Sequence, residues 1–178
     1  RLSGEFIKGL ESWIALSIMK TAQDFYGDFT TDSLGNQTEI GYVPRPSDQR
    51  FGINLFFQDH IPGYPNLRVH LNFVFSSGLP FIAPNAESIE EYFRTPWYKR
   101  VDLGFSYIFL QNNRDRMQEK WKFLNNFNNA AIYLEVFNLF DISNVSSYSW
   151  IPDLAGNIYA IPNYLTTRLI NLKFALEF

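Results

Sequence analysis

The stretch Leu67-Arg68-Val69-His70-Leu71-Asn72-Phe73-Val74-Phe75-Ser76 alternates with a period of two. Leu67, Val69, Leu71, Phe73 and Phe75 share one side, and Arg68, His70, Asn72, Val74 and Ser76 the other. Successive Cβ atoms of a β-strand point to opposite faces, so the pattern predicts a strand with one apolar and one polar surface. The same reading extends outward along the chain. Phe51, Ile53, Leu55 and Phe57 alternate with Arg50, Gly52, Asn54, Phe56 and Gln58. Val101, Leu103, Phe105, Tyr107 and Phe109 alternate with Arg100, Asp102, Gly104, Ser106 and Ile108. At the end, Ile170, Leu172, Phe174, Leu176 and Phe178 alternate with Leu169, Asn171, Lys173, Ala175 and Glu177.

Two more strands are expected near 2–8 and 12–24, joined by a tight turn at Gly9-Leu10-Glu11. A third is expected over about 129–150, where the alternation of Ile132, Leu134 and Val136 loses phase near Asn138, as at a bend or bulge. This makes about seven strands, most of them long enough to cross a bilayer at roughly 9–11 tilted residues each. The connections differ in length. Short turns fall at 9–11 and at Ile61-Pro62-Gly63-Tyr64-Pro65-Asn66, and long loops near 25–47, 78–98 and 151–166. Outer-membrane barrels put short turns on the periplasmic side and long loops outside. Residues 111–127 are the exception, long and polar on the side where short turns are expected.

Composition narrows the classes. The 178 residues include 18 Phe, 10 Tyr and 4 Trp, an aromatic share of 18% that suits a large β core or the interfacial girdles of a membrane barrel. Hydrophobic residues reach 46% while mean hydropathy is −0.16, so apolar and polar residues are interleaved rather than segregated. No apolar run approaches the roughly 18 residues of a spanning helix. Net charge is −3, which argues against nucleic acid as a partner. There is no Cys, hence no disulfide or thiolate metal site. The start, Arg1-Leu2-Ser3-Gly4-Glu5, is not a signal peptide.

A soluble sandwich also alternates, with its apolar side turned to a core. Two features favour a membrane barrel with the apolar side turned outward. The apolar faces carry large residues at nearly every position and no charge, and a charge facing lipid at the midplane costs roughly 2–4 kcal/mol. Opposite them sit Arg, His, Asn, Asp, Gln, Lys and Glu, as in a water-filled or plugged lumen. On this reading Leu71, Phe73, Phe105, Leu172 and Phe174 face lipid. Arg68, His70, Asn72, Arg100, Asp102, Asn171, Lys173 and Glu177 face the lumen. Outer-membrane barrels also commonly finish on an alternating strand with a terminal aromatic residue that their assembly machinery recognises; Phe174, Leu176 and Phe178 fit that signal.

Several motifs carry a family likeness. Asn138-Leu139-Phe140-Asp141, preceded by Ala131–Phe137 and followed by Ile142-Ser143-Asn144-Val145, resembles the element in the penultimate strand of TonB-dependent receptors. Ser77-Gly78-Leu79-Pro80, then Arg94-Thr95-Pro96-Trp97-Tyr98-Lys99-Arg100-Val101-Asp102, is similar to a pattern of such receptors common in Bacteroidetes. Arg45-Pro46-Ser47-Asp48-Gln49-Arg50 resembles their lead-in to an earlier strand. The resemblance spans nearly the whole chain. It implies an all-β, transmembrane antiparallel barrel of about 22 strands, of which 1–178 would supply about the last seven. The plug domain, the TonB box and the earlier strands would then lie outside the sequence, making this chain a fragment.

The activity so implied is TonB-dependent uptake of a scarce nutrient (siderophore, cobalamin, oligosaccharide or peptide) across the bacterial outer membrane, rather than catalysis. Its partners would be outer-membrane lipid, the rest of the receptor, the TonB complex and a surface lipoprotein lid. Two alternatives stay open: an autonomous small outer-membrane barrel acting as adhesin, pore or hydrolase, and a soluble carbohydrate-binding β-sandwich.

No enzyme signature is present: there is no G-x-S-x-G, P-loop or H-E-x-x-H. His60 and His70 are too far apart in sequence to make a local metal motif, and neither metal nor cofactor is expected. Ligand contact is expected from aromatic residues of the long loops, foremost Tyr92, Phe93, Trp97, Tyr98, Tyr148, Trp150 and Tyr159, together with Tyr26, Phe29, Tyr42 and Tyr164. The competing role for the same side chains is the interfacial girdle.

Overall fold

A computed structural model of the chain describes residues 1–7, 10–84, 86, 91–110 and 127–177, with the backbone alone at 6, 7 and 10. The described strands are β1 (Leu2–Ile7), β2 (Leu10–Ile18), β3 (Ala22–Gln23), β4 (Phe29–Thr31), β5 (Gln37–Glu39), β6 (Val43–Pro44), β7 (Phe51–Ile61) and β8 (Tyr64–Ser76). They continue with β9 (Pro80–Ile82), β10 (Tyr92–Arg94), β11 (Tyr98–Leu110), β12 (Asn129–Phe137), β13 (Val145–Pro152), β14 (Ile158–Tyr164) and β15 (Leu169–Glu177). The protein is all-β.

Seven of these strands form one antiparallel sheet in the order β1-β2-β7-β8-β11-β12-β15. Each strand lies beside the preceding long strand of the chain, an up-and-down meander. The sheet is open: β1 and β15 are its edges and do not pair with each other. The remaining strands form four separate two-stranded hairpins, β3 with β6, β4 with β5, β9 with β10 and β13 with β14. All four fall within connections at the same end of the sheet. At the other end β7 and β8 are joined through Pro62 and Gly63, the latter at φ 83°. Proline presets the first central position of such a turn, and glycine supplies the positive φ of the second.

Register turns the alternation into two continuous surfaces. One runs through Phe57, Leu71, Leu103, Val136 and Ile170, and beside it through Phe105, Leu134 and Leu172. The other runs through Gln58, His70, Gly104, Glu135 and Asn171, and beside it through His60, Arg68, Ser106, Tyr133 and Lys173. A slip of one residue at any strand would exchange the faces, so the hydrophobic pattern itself selects this pairing. Charge enters the apolar surface at its two ends. Asp59 lies opposite Val69 near the Pro62-Gly63 turn, and Lys99 opposite Phe75 at the loop end.

Among the described residues, none forms a layer over the apolar surface. The buried hydrophobic residues among those described are Val43, Leu110 and Ala130, none at the centre of the sheet. Ile170, Leu172 and Phe174 stay 66%, 55% and 68% exposed. A soluble sheet normally hides such a face against helices or a second sheet.

Three expectations need correction. The segment 129–150 is not one bent strand. β12 stops at Phe137, Asn138 and Asp141 adopt φ 53° and 54°, and β13 starts a different hairpin. The strand placed over 12–24 runs from Leu10 to Ile18, so Leu10 and Glu11, expected in the turn, belong to the strand. The long connections 25–47, 78–98 and 151–166 each contain hairpin strands. The Gly9 turn, the polar stretch at 111–126 and Phe178 lie outside the described residues.

Candidate functional site

The loop end of the sheet is held by three polar clusters, and these are the places where the motif residues meet. Asp48 is the first and is fully buried, at 0% exposure. Its Oδ2 accepts hydrogen bonds from Arg94 Nη2 at 2.5 Å and Arg50 Nε at 2.6 Å, and its Oδ1 from the Thr21 amide at 2.7 Å. Arg94 Nη1 also donates to the carbonyls of Asp48 and Gly78, at 2.8 and 3.1 Å. Residues 48, 78 and 94, which stand far apart in sequence, thus share one node. Gly78 is needed there because a Cβ at that position would lie 1.6 Å from the Thr95 carbonyl oxygen. Burial pushes the Asp48 carboxyl up, but the Thr21 amide and the two guanidinium groups outweigh it and hold the group down at about 2.

The second cluster closes β11 onto the end of β12. Asp102 Oδ1 accepts from Arg100 Nε at 2.7 Å and from the Asn138 amide at 2.9 Å, and Asn72 Nδ2 donates to Oδ2 at 3.2 Å. The Asn138 side chain bonds both the amide and the carbonyl of Ile142, each at 3.0 Å. This stabilises the left-handed conformation that ends the strand, one that asparagine tolerates better than most residues. In the third cluster the Asn144 side chain bonds the Lys99 backbone as a strand would, receiving its N–H at 2.9 Å and donating to its C=O at 2.8 Å. Asp141 Oδ1 accepts the Arg168 amide at 2.8 Å just before β15. The Asn138–Asp141 motif is therefore a buckle that seats the β13–β14 hairpin over the sheet.

Above these clusters lies an aromatic platform. Phe81 on β9 stacks on Tyr148 of β13 with ring centres 4.7 Å apart, and lies 5.9 Å from Phe93 and 6.2 Å from Trp150. Phe81, Ala83, Glu91, Phe93, Tyr148 and Trp150 line a shared hollow between the two hairpins. Of the aromatic residues expected to meet ligand, Phe93, Tyr148 and Trp150 come together here. Phe81, which the sequence reading did not single out, is their centre.

The others go elsewhere. Trp97 stacks on Phe75 at 5.0 Å and approaches Phe51 at 6.2 Å, joining the apolar surface of the sheet. Tyr98 pairs with Ser76 and shares the polar surface with Arg100. Tyr92 borders a separate hollow with Tyr42 and Lys20. Tyr159 pairs with Ile151 at the far side of its hairpin.

Arg68, His70, Asn72, Arg100, Asp102, Asn171, Lys173 and Glu177 all occupy one surface of the sheet, and Leu71, Phe73, Phe105, Leu172 and Phe174 the other. On the polar surface His70 Nε2 reaches across Gly104 to lie 3.7 Å from Glu135 Oε1, and Asn171 Nδ2 donates to Glu135 Oε2 at 3.0 Å. Arg100 lies over the Phe137 ring at 5.4 Å, Lys173 over Tyr133 at 5.2 Å, and Asn129 donates to Glu177.

The glycine beneath His70 is specific, since a Cβ at position 104 would sit 2.1 Å from the imidazole Cε1. The ring is the movable end of a side chain, so Gly104→Ala is expected to swing it off Glu135. The cost should be near the low end of overpacking, about 1 kcal/mol. A denaturation midpoint unchanged from wild type would show that Gly104 is not the seat of the ring.

Two hairpin tips repeat one device that the sequence reading did not single out, Asp32-Ser33-Leu34-Gly35-Asn36 and Asp153-Leu154-Ala155-Gly156-Asn157. In each, the aspartate Oδ1 accepts amides two and four residues on, and the asparagine side chain donates to Oδ2. The asparagine side chain, the leading contributor, holds both carboxyls below their usual range.

No protein-family model, no curated protein and no solved structure matches this chain.

Proposed function

We propose that this chain forms part of the wall and outer loops of an outer-membrane β-barrel that imports a scarce nutrient under TonB control. The observation that carries the reading is the apolar surface of the seven-stranded sheet, which among the described residues is uncovered and free of charge except at its two ends. Lipid is the solvent in which such a surface is satisfied, and charges are tolerated where Asp59 and Lys99 sit because the penalty falls toward the interfaces. The open edges at β1 and β15 suit continuation by further strands, since an unpaired edge is a liability in isolation. The polar surface would face a lumen filled by water or a plug. Trp97, Phe51 and Phe75 would form part of the outer girdle.

Ligand capture is assigned to the platform of Phe81, Phe93, Tyr148 and Trp150. Flat aromatic faces stack on sugar rings, on aryl siderophores and on aromatic peptide side chains. The test is uptake of labelled siderophore, cobalamin, oligosaccharide and peptide by cells carrying the intact protein, with and without TonB. One class should enter only when both are present. Trp150→Ala should weaken its capture about ten-fold, ~1.4 kcal/mol, and Trp97→Ala should leave capture unchanged. Uptake of none of the four classes, or uptake indifferent to TonB, would refute the proposal.

A further inference from the structure

We propose a calcium site in the loop hairpins, built from Asp24, Asp28 and Glu39 and independent of the transport reading. One carboxylate oxygen from each of the three lies within 4.8 Å of the others. Acidic loop residues often sit near one another by chance, but Asp28 differs from its neighbours. Both of its carboxylate oxygens are shut off from solvent, and neither accepts a hydrogen bond among the described residues. Burying an ionised carboxylate without a partner is costly, and proteins answer that cost with an opposite charge or a metal. Apart from Asp24, which is exposed and belongs to the same cluster, the other described loop aspartates have their answer within the chain. Asp32 and Asp153 are satisfied by Asn36 and Asn157, Asp48 by Arg50 and Arg94, and Asp141 by the Arg168 amide.

The backbone builds the arrangement. Gly27 at φ 80° turns the chain between Asp24 and Asp28, and the Asp28 amide donates to the Phe25 carbonyl at 3.4 Å. The Ile40 amide returns to the Asp28 carbonyl at 3.2 Å, and Phe29 pairs with Glu39 in the β4–β5 ladder. Glu39 is thereby fixed beside the turn that carries the two aspartates. All the ligand atoms are oxygen, which suits a hard divalent cation. Calcium holds oxygens at 2.3–2.6 Å, so ligands around it stand up to about 5 Å apart, in keeping with this spread; magnesium demands a tighter octahedron. Water or main-chain carbonyls would complete the shell. A loop site with three carboxylates, two of them on exposed residues, is expected to bind with a Kd of about 10⁻⁴–10⁻³ M.

Titration of the intact protein with CaCl₂, followed by calorimetry and by tyrosine-sensitised Tb³⁺ emission, tests the assignment. Saturable binding is expected, weakened at least ten-fold in Asp28→Asn and in Glu39→Gln. Asp32→Asn, which alters an acidic residue of the same hairpin, should bind as wild type does. Calcium should also slow proteolysis within 25–40, an effect lost in Asp28→Asn. Should Asp28→Asn fail to fold, Glu39→Gln decides. Absence of saturable binding up to about 10 mM Ca²⁺, or equal affinity in wild type and Glu39→Gln, overturns the site.

Discussion

If the apolar surface of the sheet faces lipid, as proposed, Leu172→Arg is expected to block assembly into a membrane, whereas Asn171→Arg, one residue earlier, is expected to be accommodated. Leu172 lies on β15 opposite Leu134, in the apolar row that includes Phe105, and is 55% exposed on that surface. If the surface meets hydrocarbon, a guanidinium there costs roughly 2–4 kcal/mol at mid-depth, enough to block insertion of a strand needed for assembly. Asn171 is on the opposite surface and already donates to Glu135 at 3.0 Å. A guanidinium in its place would meet the same carboxylate and gain an ion pair. Membrane fractionation with heat-modifiable gel migration reads both variants. A protein that tolerates Leu172→Arg and rejects Asn171→Arg has its surfaces the other way round.

Asp48→Asn is expected to be the most damaging single-atom change at the loop end. Breaking a buried ion pair by removing one partner costs roughly 3–5 kcal/mol because the remaining charge stays buried. Here the lower figure applies. The Arg50 side chain keeps 41% exposure and Arg94 28%, so water recovers part of the loss. The variant should melt earlier and open the β9–β10 hairpin to protease, since Arg94 on β10 loses its anchor. The sign of the pH dependence follows from the depressed carboxyl, held at about 2 against an ordinary 3.8. Its contribution is full above about pH 4 and fades as pH falls through 2. Wild type should therefore lose stability across that interval by more than Asp48→Asn does. Equal stability of the two proteins at neutral pH would mean the node holds nothing.

The long strands were legible because their signal is local and repeated. Leu67–Ser76 and Arg100–Phe109 alternate at all but Val74 and Ile108, and the loss of phase near Asn138 falls where β12 ends. The hairpins within the long loops were not legible. β3, β5 and β9 are two or three residues long and have no periodicity to detect; they form because turns and side chains bring their partners together. The repeated aspartate-to-asparagine tips carried a readable spacing, but one too short to stand out from ordinary turn composition.

The candidate site divides in the same way. Phe93, Tyr148 and Trp150 were picked out as loop aromatics, yet nothing in one dimension says that they converge on Phe81, or that Trp97 turns to the apolar surface instead. The motif residues Asp48, Gly78, Arg94, Asp102 and Asn138 stood out as likenesses. Their physical role as buried donors and acceptors at strand ends becomes visible only when register places them together. Glu135 passed unremarked within an apolar strand, although it is the residue that gathers His70 and Asn171.

Spin-label accessibility along β8 decides the direction in which the apolar surface looks. Single labels at each position from Leu67 to Ser76, in the intact protein reconstituted into lipid, are probed with oxygen, which partitions into hydrocarbon, and with a water-soluble nickel complex. Odd positions through Leu71 and Phe73 are expected to be rich in oxygen contact and poor in nickel contact, with even positions through His70 and Asn72 the reverse. Labels at Leu71 and Phe73 shielded from both probes would place the apolar surface in a protein interior and overturn the membrane reading.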